Sequence, residues 1–328
     1  MKISLINNFF NPGGATKVSY SLAENLSQSH QMQFYGFLDG SYREKFGALG
    51  ETFLLKGCQF DYGKDLIYNL EKFNPDIIHI FIPGGQNPSY FKKLPPCKKF
   101  ITVLCEQNIG FDPTIFERVF FLSEYSKGFC GNIKNGICIR PSIETNIAEK
   151  EQARIPAIGR ISAFCPSKLI DHTILCAANN KNFMWTIAGE IQDENCFRNA
   201  MKAKTKLELS NLNIRTNLNE EEKLGILRSS DIWHYPTSSE TFCFSILDAF
   251  AARKPVISYQ NSAIPELFDN SEWLATDIED LQEKTHRMIS LSAKERTCIG
   301  NNNYERYLKN SSSLFTQRTE YFYSNTGV

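Results

Sequence analysis

Apolar and polar segments alternate along this chain in the way that is typical of α/β proteins. Short apolar runs of strand length are followed by amphipathic segments of helix length, from the start to near the end. The strands predicted from these runs cover residues 3–7, 33–38, 77–82, 100–104, 119–123 and 137–140 in the first half, and 155–159, 183–188, 232–235 and 256–259 in the second. The alternation predicts parallel sheets that are covered by helices on both faces.

The pattern of strands and helices restarts after a charged stretch, residues 144–154, that has few large apolar side chains. A chain of 328 residues is long enough for two domains, each with its own core. We therefore predict two doubly wound domains, residues 1–148 and 149–305, with a helical tail of about 306–328 that packs back on the first.

Composition excludes several classes of protein. Lys and Arg together number 36, and Asp and Glu also number 36, so no net charge points to nucleic acid. Ten cysteines occur without C-x-x-C pairs or a Cys/His cluster, which argues against structural zinc and predicts reduced thiols. The apolar run 3–6 is too short for a signal segment, and no later run reaches membrane length. We expect a cytoplasmic protein.

The segment from Ser238 to Ser258 carries the clearest chemical signal. Glu240 lies in a polar loop, and Asp248, eight positions later, lies in an apolar segment spaced like a buried helix. The start of that helix would present unpaired N–H groups, where the helix dipole favours phosphate. An anion site with an acid on either side fits a nucleotide-sugar diphosphate, which has phosphates in the middle and hydroxyl groups at both ends. The alternative is a loop acid followed by a partly buried helical acid.

The same segment reads S-S-E-T-F-C-F-S-I-L-D-A-F-A-A-R-K-P-V-I-S. It resembles the E-x7-E region of the retaining GT-B glycosyltransferases of family four, also called glycosyl transferases group 1, which typically read E-G-F-G-x-x-x-x-E-A-M-A-x-G-x-P-V-I-A. Glu240 matches the first acid and Asp248 stands in for the second. Thr241 and Cys243, on either side of Phe242, replace the two usual glycines. The resemblance implies that this loop, residues 241–243, approaches the nucleotide.

Two more motifs follow in the order that this family has. In I-P-A-I-G-R-I-S-A-F-C-P-S-K, Arg160 directly follows a predicted strand and Lys168 lies near a helix start, so both cations could neutralise a diphosphate leaving group. Two surface cations are the alternative. The resembling family uses a G-R dipeptide and a following Lys for this purpose, at a shorter separation. The segment T-I-A-G-E matches the family's element beside the nucleotide and makes Gly189 and Glu190 candidates.

The first half carries weaker signals. In N-N-F-F-N-P-G-G-A-T-K, Gly13 and Gly14 separate the first strand from the first helix, where glycine lets backbone approach a ligand or forms a tight turn. The turn resembles the G-G loop that opens the family's acceptor domain. Many relatives carry a reactive-site His after a later strand; here that region reads I-T-V-L-C-E-Q-N, so Glu106 is the candidate, with a solvent-facing strand end as the alternative. His79 is predicted to be a satisfied core residue.

The basic cluster F-K-K-L-P-P-C-K-K-F contains Lys92, Lys93, Lys98 and Lys99. Such a cluster predicts a solvated loop. The alternative is a peripheral contact with an anionic membrane, at its inner face, or with a lipid-diphosphate acceptor.

The resemblance implies an α/β fold of GT-B architecture, with two Rossmann-like doubly wound parallel-sheet domains facing across a cleft. It implies a retaining, metal-independent glycosyltransferase that moves a sugar from a nucleoside-diphosphate sugar to a hydroxyl group of a glycan or lipid-linked acceptor, in surface polysaccharide or glycoconjugate synthesis. No metal or other cofactor is expected. Glu240 would bind donor-sugar hydroxyls, Asp248 the ribose, and Arg160 and Lys168 the diphosphate. The alternatives are a non-catalytic GT-B partner of an active transferase and a sugar-nucleotide epimerase.

Overall fold

The computed structural model describes residues 1–11, 13–55, 63–83, 85, 88–104, 108–141, 156–309 and 312–325. The chain divides into two compact units, one formed by Met1–Glu144 with Asn310–Val328 and the other by Thr145–Lys309. The predicted boundary between residues 148 and 149 lies outside the described residues.

The described part of the first unit contains a seven-stranded parallel sheet. Its strands are β1 (Lys2–Ile6), β2 (Gln31–Gly36), β3 (Glu51–Leu54), β4 (Ile77–Ile82), β5 (Lys98–Val103), β6 (Arg118–Phe121) and β7 (Gly136–Cys138). Helices α1 (Gly14–Leu26), α2 (Tyr42–Gly47), α3 (Gly63–Phe73) and α4 (Glu124–Phe129) connect them. The spatial order β3-β2-β1-β4-β5-β6-β7 reverses direction between β1 and β4, which is the switch point of a doubly wound sheet.

The second unit repeats this plan with a six-stranded parallel sheet among its described residues. Its strands are β8 (Ala157–Ile161), β9 (Met184–Ala188), β10 (Leu212–Arg215), β11 (Ile232–Tyr235), β12 (Val256–Tyr259) and β13 (Leu274–Ala275). Its helices are α5 (Ile170–Asn179), α6 (Glu194–Lys206), α7 (Glu220–Ser229), α8 (Phe244–Ala251), α9 (Ile278–Ser290) and α10 (Ala293–Leu308). The order β10-β9-β8-β11-β12-β13 places the switch point between β8 and β11.

The two sheets confirm the predicted class of two doubly wound α/β domains. The sequence missed β3, β10 and β13, which lie at sheet edges and are two to four residues long. Strand β4 is buried at all six positions and shows an apolar run, whereas β10 alternates Leu and Ile with Asn and Arg. Strands β3 and β10 keep partial contact with water, so their composition differs little from that of a loop, whereas β13 is buried but only two residues long.

The last described helix, α11 (Ser312–Ser324), belongs to the first unit. The hydroxyl group of Tyr323 lies 2.5 Å from Nδ1 of His79, and Nε2 of His79 lies 2.7 Å from the Thr102 hydroxyl group. Burial lowers the pKa of His79 to about 3, so the ring is neutral at ordinary pH. His79 is therefore the satisfied core residue that the sequence predicted, and it fastens α11 to the sheet.

The basic cluster is divided by the fold. Lys92 and Lys93 are exposed at the end of a 3-10 turn, Ser89–Lys93. Lys98 donates from Nζ to the carbonyl of Tyr323 (2.9 Å), and Lys99 donates to that of Cys97 (3.0 Å), so two of the four cations are engaged within the protein. Among the described helices, none combines the length and the apolar character needed to cross a membrane.

Candidate active site

The chemically suggestive residues of the second unit meet at the carboxyl ends of β8 and β11. The loop after β8, residues 162–169, carries Lys168, and the loop after β11, residues 236–243, carries Glu240. Since β8 and β11 flank the switch point of this sheet, the crevice outside their carboxyl ends is where a doubly wound domain binds its ligand.

Lys168 and Glu240 form an ion pair, with Nζ 2.5 Å from Oε1. Their side chains are only 19% and 13% exposed, so the pair is poorly screened by solvent. Burial pulls the pKa of Lys168 down, but the charge of Glu240 and its hydrogen bond more than offset this, and the pKa is raised above its ordinary value. Lys168 is therefore a firmly held ammonium group at neutral pH.

Tyr235, the last residue of β11, is a third member of the site that the sequence did not reveal. Its hydroxyl group donates to the same Oε1 of Glu240 at 3.1 Å. Burial, and then the charge of Glu240, raise the pKa of Tyr235 well above its ordinary value, so the proton stays in place. The backbone N–H of Glu240 donates to the Ser262 hydroxyl group at 2.9 Å. Hydrogen bonds thus fix both the backbone and the carboxylate of Glu240.

Arg160 is completely buried and lies beneath the loop after β8. Its Nε donates to Ser162 Oγ (3.0 Å), its Nη1 to Thr173 Oγ1 (2.7 Å), and its Nη2 to the carbonyl oxygen of Lys168. Burial lowers the pKa of Arg160 to about 10, which leaves it charged at neutral pH. Each guanidinium nitrogen therefore has an acceptor within the protein. The contact with a diphosphate stays a prediction, and what the structure shows is a residue that positions Lys168.

The two loops are also tied through one carbonyl group. The carbonyl oxygen of Ser167 accepts hydrogen bonds from the backbone N–H of Ser238 (2.9 Å), the Ser238 hydroxyl group (3.1 Å) and the Thr237 hydroxyl group (3.0 Å). Because Ser167 precedes Lys168 directly, the separation between the cation and Glu240 is set by backbone geometry as well as by the ion pair.

Gly189, directly after β9, packs against the loop after β8. A Cβ atom at this position would lie 1.8 Å from the carbonyl oxygen of Ser162, which is far shorter than any non-bonded contact between a carbon and an oxygen atom. The neighbouring Glu190 is exposed, and its carbonyl oxygen accepts from the backbone N–H of Phe164 at 2.8 Å. Only glycine lets the two loops meet here. The predicted contact of Gly189 and Glu190 with the nucleotide stays a prediction.

The first testable prediction concerns Gly189→Ala, which should displace the loop that carries Lys168. We expect the free energy of unfolding to fall by about 2–3 kcal/mol, because the added methyl group meets backbone that cannot move aside cheaply. Gly225→Ala is the matched control: an added Cβ in helix α7 meets no atom within 4 Å, and alanine should stabilise that helix by up to about 1 kcal/mol. Unfolding in urea is measured by circular dichroism. Equal unfolding curves for both variants would contradict the packing role of Gly189.

Helix α8 begins directly after the loop 241–243. Its N-cap, Cys243, has no side-chain hydrogen bond to the helix, and the first turn contains no acidic residue, so the helix start favours an anion. Phe242 is buried and Thr241 is half-buried. Asp248 is the fifth residue of α8 and is half-buried, one turn beyond the N-terminal N–H groups.

Cys243 adopts φ 73° and ψ 78°, the left-handed region that favours glycine. The resembling family has glycine at this position, and the structure shows that Cys243 takes up the glycine-like conformation in spite of its side chain. Burial, and then the charge of Glu240, raise the pKa of the Cys243 thiol well above its ordinary value. The thiol is thus neutral and contributes no charge to the site.

A second prediction follows from this backbone angle. Cys243→Gly should be about 1 kcal/mol more stable than Cys243→Ala, since both remove the thiol and only glycine tolerates the left-handed conformation without strain. Thermal unfolding of the two variants side by side measures the difference. Alanine equal to or better than glycine would show that the loop is not held at a positive φ.

The remaining candidates belong to the first unit. Gly13 is the N-cap of α1, is exposed and has an extended φ of −178°, and Gly14 is the exposed first residue of that helix. Glu106 lies outside the described residues, so its role stays a prediction. Within the described part of the chain, no three His, Cys, Asp or Glu side chains are grouped as a metal site would require.

The family described as Glycosyl transferases group 1 matches residues 143–306, which is half of the chain and includes both loops of the site. The chain belongs to this family. It is therefore a glycosyltransferase, and the resemblance read from Glu240, Asp248 and the G-R motif is confirmed at the level of the family.

Solved structures show the same fold as this group 1 glycosyltransferase. HepE from Anabaena, in complex with UDP and glucose, is 15% identical with a TM-score of 0.81, and the match covers 99% of this chain and 100% of that chain. Sucrose-phosphate synthase from Thermosynechococcus elongatus is 13% identical with a TM-score of 0.79, covering 99% and 98%. WaaG, a glycosyltransferase involved in lipopolysaccharide biosynthesis, is 12% identical with a TM-score of 0.75, covering 98% and 100%. These likenesses confirm the GT-B architecture. No curated protein matches the sequence significantly.

Proposed function

We propose that this glycosyltransferase moves a sugar from a nucleoside-diphosphate sugar to a hydroxyl acceptor, with retention at the transferred carbon and without a metal ion. The observation that carries the proposal is the Lys168–Glu240 pair at the switch point between β8 and β11, close in sequence to the uncapped start of α8. A fixed cation and helix N–H groups offer what a leaving diphosphate needs, and a carboxylate offers what sugar hydroxyl groups need.

Lys168 has the leading part in this proposal. As the bond between the sugar and the diphosphate breaks, negative charge grows on the leaving phosphate oxygen, and a preorganised ammonium group stabilises it without moving far. Arg160 holds the carbonyl of Lys168 and supplies a second positive charge beneath the loop. This electrostatic arrangement takes the place that a divalent cation has in other transferases.

Glu240 acts in the proposal as a binding group for the donor sugar. Both of its side-chain hydrogen bonds, from Lys168 and Tyr235, are made to Oε1. No described residue hydrogen-bonds to Oε2, so that oxygen remains to accept from a sugar hydroxyl group. With Oε1 held by Lys168 and Tyr235 and Oε2 assigned to a sugar hydroxyl group, the proposal gives Glu240 no nucleophilic role and leaves deprotonation of the acceptor to the leaving phosphate. Asp248, one turn into α8, would accept from the ribose hydroxyl groups.

The donor and the pathway are proposed from the relatives. HepE is described in complex with UDP and glucose, and WaaG is involved in lipopolysaccharide biosynthesis. We therefore propose UDP-sugars as the first donors to test, a glycan or lipid-linked acceptor, and a role in surface polysaccharide or glycoconjugate synthesis at the inner face of a membrane. Exposed Lys92 and Lys93 are the residues of the basic cluster that remain available for an anionic surface.

Ligand-induced stabilisation tests the proposal directly. UDP, GDP, ADP and their glucose conjugates are added separately, and the thermal midpoint is recorded for the wild-type chain and for Lys168→Met. A ligand at a hundred times its dissociation constant should stabilise the wild type by about 2.7 kcal/mol. The shift should be smaller in Lys168→Met, which lacks the diphosphate cation. If no nucleotide changes the midpoint of the wild type, the proposed function is wrong.

A third prediction concerns metal dependence. Since the charge of the leaving group is assigned to Lys168 and to helix N–H groups, EDTA should leave the rate of transfer essentially unchanged. The measurement is nucleoside-diphosphate release with and without chelator, followed by magnesium or manganese addition. Loss of turnover that either ion restores would show that the leaving group needs a metal.

A further inference from the structure

A third loop, residues 260–263 after β12, reaches the pair formed by Lys168 and Glu240. Strand β12 is the parallel neighbour of β11, so this loop starts at the same edge of the sheet as the loop that carries Glu240. The hydroxyl group of Ser262 accepts from the backbone N–H of Glu240 at 2.9 Å. The backbone N–H of Ala263 donates to the carbonyl oxygen of Glu240 at 3.1 Å. Two successive residues of the loop after β12 therefore bond to both backbone groups of Glu240.

The same loop is linked to the loop after β8. The Ser262 hydroxyl group donates to Oδ1 of Asn261 at 3.3 Å, and Nδ2 of Asn261 donates to the carbonyl oxygen of Thr237 at 2.8 Å. The Thr237 hydroxyl group donates to the carbonyl oxygen of Ser167, which precedes Lys168, at 3.0 Å. Hydrogen bonds thus run from residue to residue through all three loops, and Ser262 lies at one end of the series.

The backbone of Ser262 is strained. Its φ of 47° lies in the left-handed region, which is unfavourable for any residue that has a Cβ atom. The two neighbouring loops each carry a residue of the same kind, Leu169 with φ 44° and Cys243 with φ 73°. Strain of this type is typical of functional sites, and the conformation alone favours glycine or asparagine. The backbone therefore does not explain a serine at this position, whereas its hydrogen bond to Glu240 does.

We propose that Ser262 is a positioning residue for Glu240, whose carboxylate it places for the reaction through the backbone. The inference rests on the proposed function, which assigns Glu240 to the donor sugar. Lys168 and Tyr235 hold the carboxylate at Oε1, so a shift of the Glu240 backbone would turn Oε2 about that point. A small displacement of a binding group is enough to weaken a contact that the transition state requires.

Two variants separate the hydroxyl group of Ser262 from its backbone conformation. Ser262→Ala and Ser262→Gly both lack the hydroxyl group, and only glycine relieves the left-handed conformation. We expect kcat with a nucleotide-sugar donor to fall about tenfold in both variants alike. The thermal midpoint of Ser262→Gly should nevertheless lie about 2–4 °C above that of Ser262→Ala. A purely structural role would make kcat follow the thermal midpoint, and that result would overturn the proposal.

Glu208 is the matched control for these substitutions. It has a φ of 52°, is exposed and lies outside the three loops of the site. Glu208→Gly should likewise be more stable than Glu208→Ala, because the backbone strain is of the same kind. Both control variants should keep kcat within about twofold of the wild type. A tenfold loss there, roughly equal to that at Ser262, would assign the effect to the backbone and overturn the proposal.

Binding of UDP gives a readout that a role at the nucleotide would change. UDP lacks the donor sugar, so its dissociation constant, measured by calorimetry, should stay within about twofold of the wild type in Ser262→Ala. Weakening of UDP binding by as much as kcat falls would place Ser262 at the nucleotide instead of behind Glu240.

Amide exchange supplies a readout that needs no ligand. Without the Ser262 hydroxyl group, the Glu240 N–H loses its acceptor, and its exchange with deuterated water should quicken about tenfold in both Ser262 variants. NMR on the full chain follows this exchange, which should not change in the Glu208 variants. Unchanged exchange in Ser262→Ala and Ser262→Gly would overturn the proposal. Faster exchange in a protein that transfers no sugar from any donor would support the hold of Ser262 on Glu240 and count against the proposed function alone.

Discussion

Lys168→Met is expected to lower kcat by about a hundredfold to a thousandfold with a nucleotide-sugar donor. Methionine is similar to lysine in length, and it removes the ammonium group that pairs with Glu240. The loss falls on kcat because charge on the leaving diphosphate is greater in the transition state than in the bound donor. Initial rates of nucleoside-diphosphate release at saturating donor measure the effect.

Lys223→Met is the matched control for this experiment. Lys223 is 23% exposed and pairs with Glu220 at 2.9 Å in helix α7, so it resembles Lys168 in burial and in partner but lies outside the two loops of the site. Its replacement should change kcat less than about twofold. Similar losses in both variants would assign the effect of Lys168→Met to stability, and an unchanged kcat in Lys168→Met would remove Lys168 from the site.

The fold was predictable from sequence to the extent that its strands are buried. Central strands such as β4 show unbroken apolar runs because helices cover both faces of the sheet, and this periodicity is visible without a structure. The edge strands β3 and β10 were missed because short, partly solvated strands do not need such runs, and β13 was missed because its two buried residues are too few to form one. Helix starts can also be read from residue spacing: Asn219 with Glu222, and Ser292 with Glu295, have the spacing of a capping box, and both boxes occur in the structure.

The residue types of the site could be predicted from the sequence, but the contacts between them could not. The separation of Arg160 and Lys168 is longer than the resembling family usually has, and sequence alone could not show that a 3-10 turn, Pro166–Lys168, brings the lysine back to Glu240. Tyr235 was read only as the end of an apolar strand. Tyr235 is the last residue of β11, and the loop that carries Glu240 begins directly after it. The fold turns this loop back so that the Tyr235 hydroxyl group donates to Glu240, which the sequence does not show.

Arg160 shows why a matched motif does not settle a role. The dipeptide G-R predicted a cation at the diphosphate, yet the described side chain is buried and its three nitrogens all donate within the second unit. A charge of this kind can stabilise a leaving group through the field it adds at a distance, and it can fix the position of Lys168 through the carbonyl contact. Both effects require burial, which sequence does not report.

Glu240→Gln should lower kcat by on the order of a hundredfold or more, whereas Asp248→Asn should act mainly on nucleotide affinity. The amide keeps the shape of Glu240 but loses the charge that we propose to face the sugar ring, where positive charge develops in the transition state. Asp248 lies one turn into α8, at the place proposed for the ribose, so its loss should raise the dissociation constant of the nucleotide and leave kcat nearly unchanged. Steady-state kinetics and calorimetry on the two variants separate these effects.

The pH dependence of Glu240→Gln makes the test sharper. In the wild type, burial lowers the pKa of Lys168 and Glu240 raises it by a larger amount, so Lys168 stays charged to higher pH than an ordinary lysine. Glutamine removes the opposing charge and leaves burial alone, so the pKa of Lys168 should fall. The alkaline limb of the kcat profile should therefore move to lower pH in Glu240→Gln and stay in place in Asp248→Asn. If both variants change only KM, with identical pH profiles, Glu240 is neither beside the sugar nor the group that keeps Lys168 protonated.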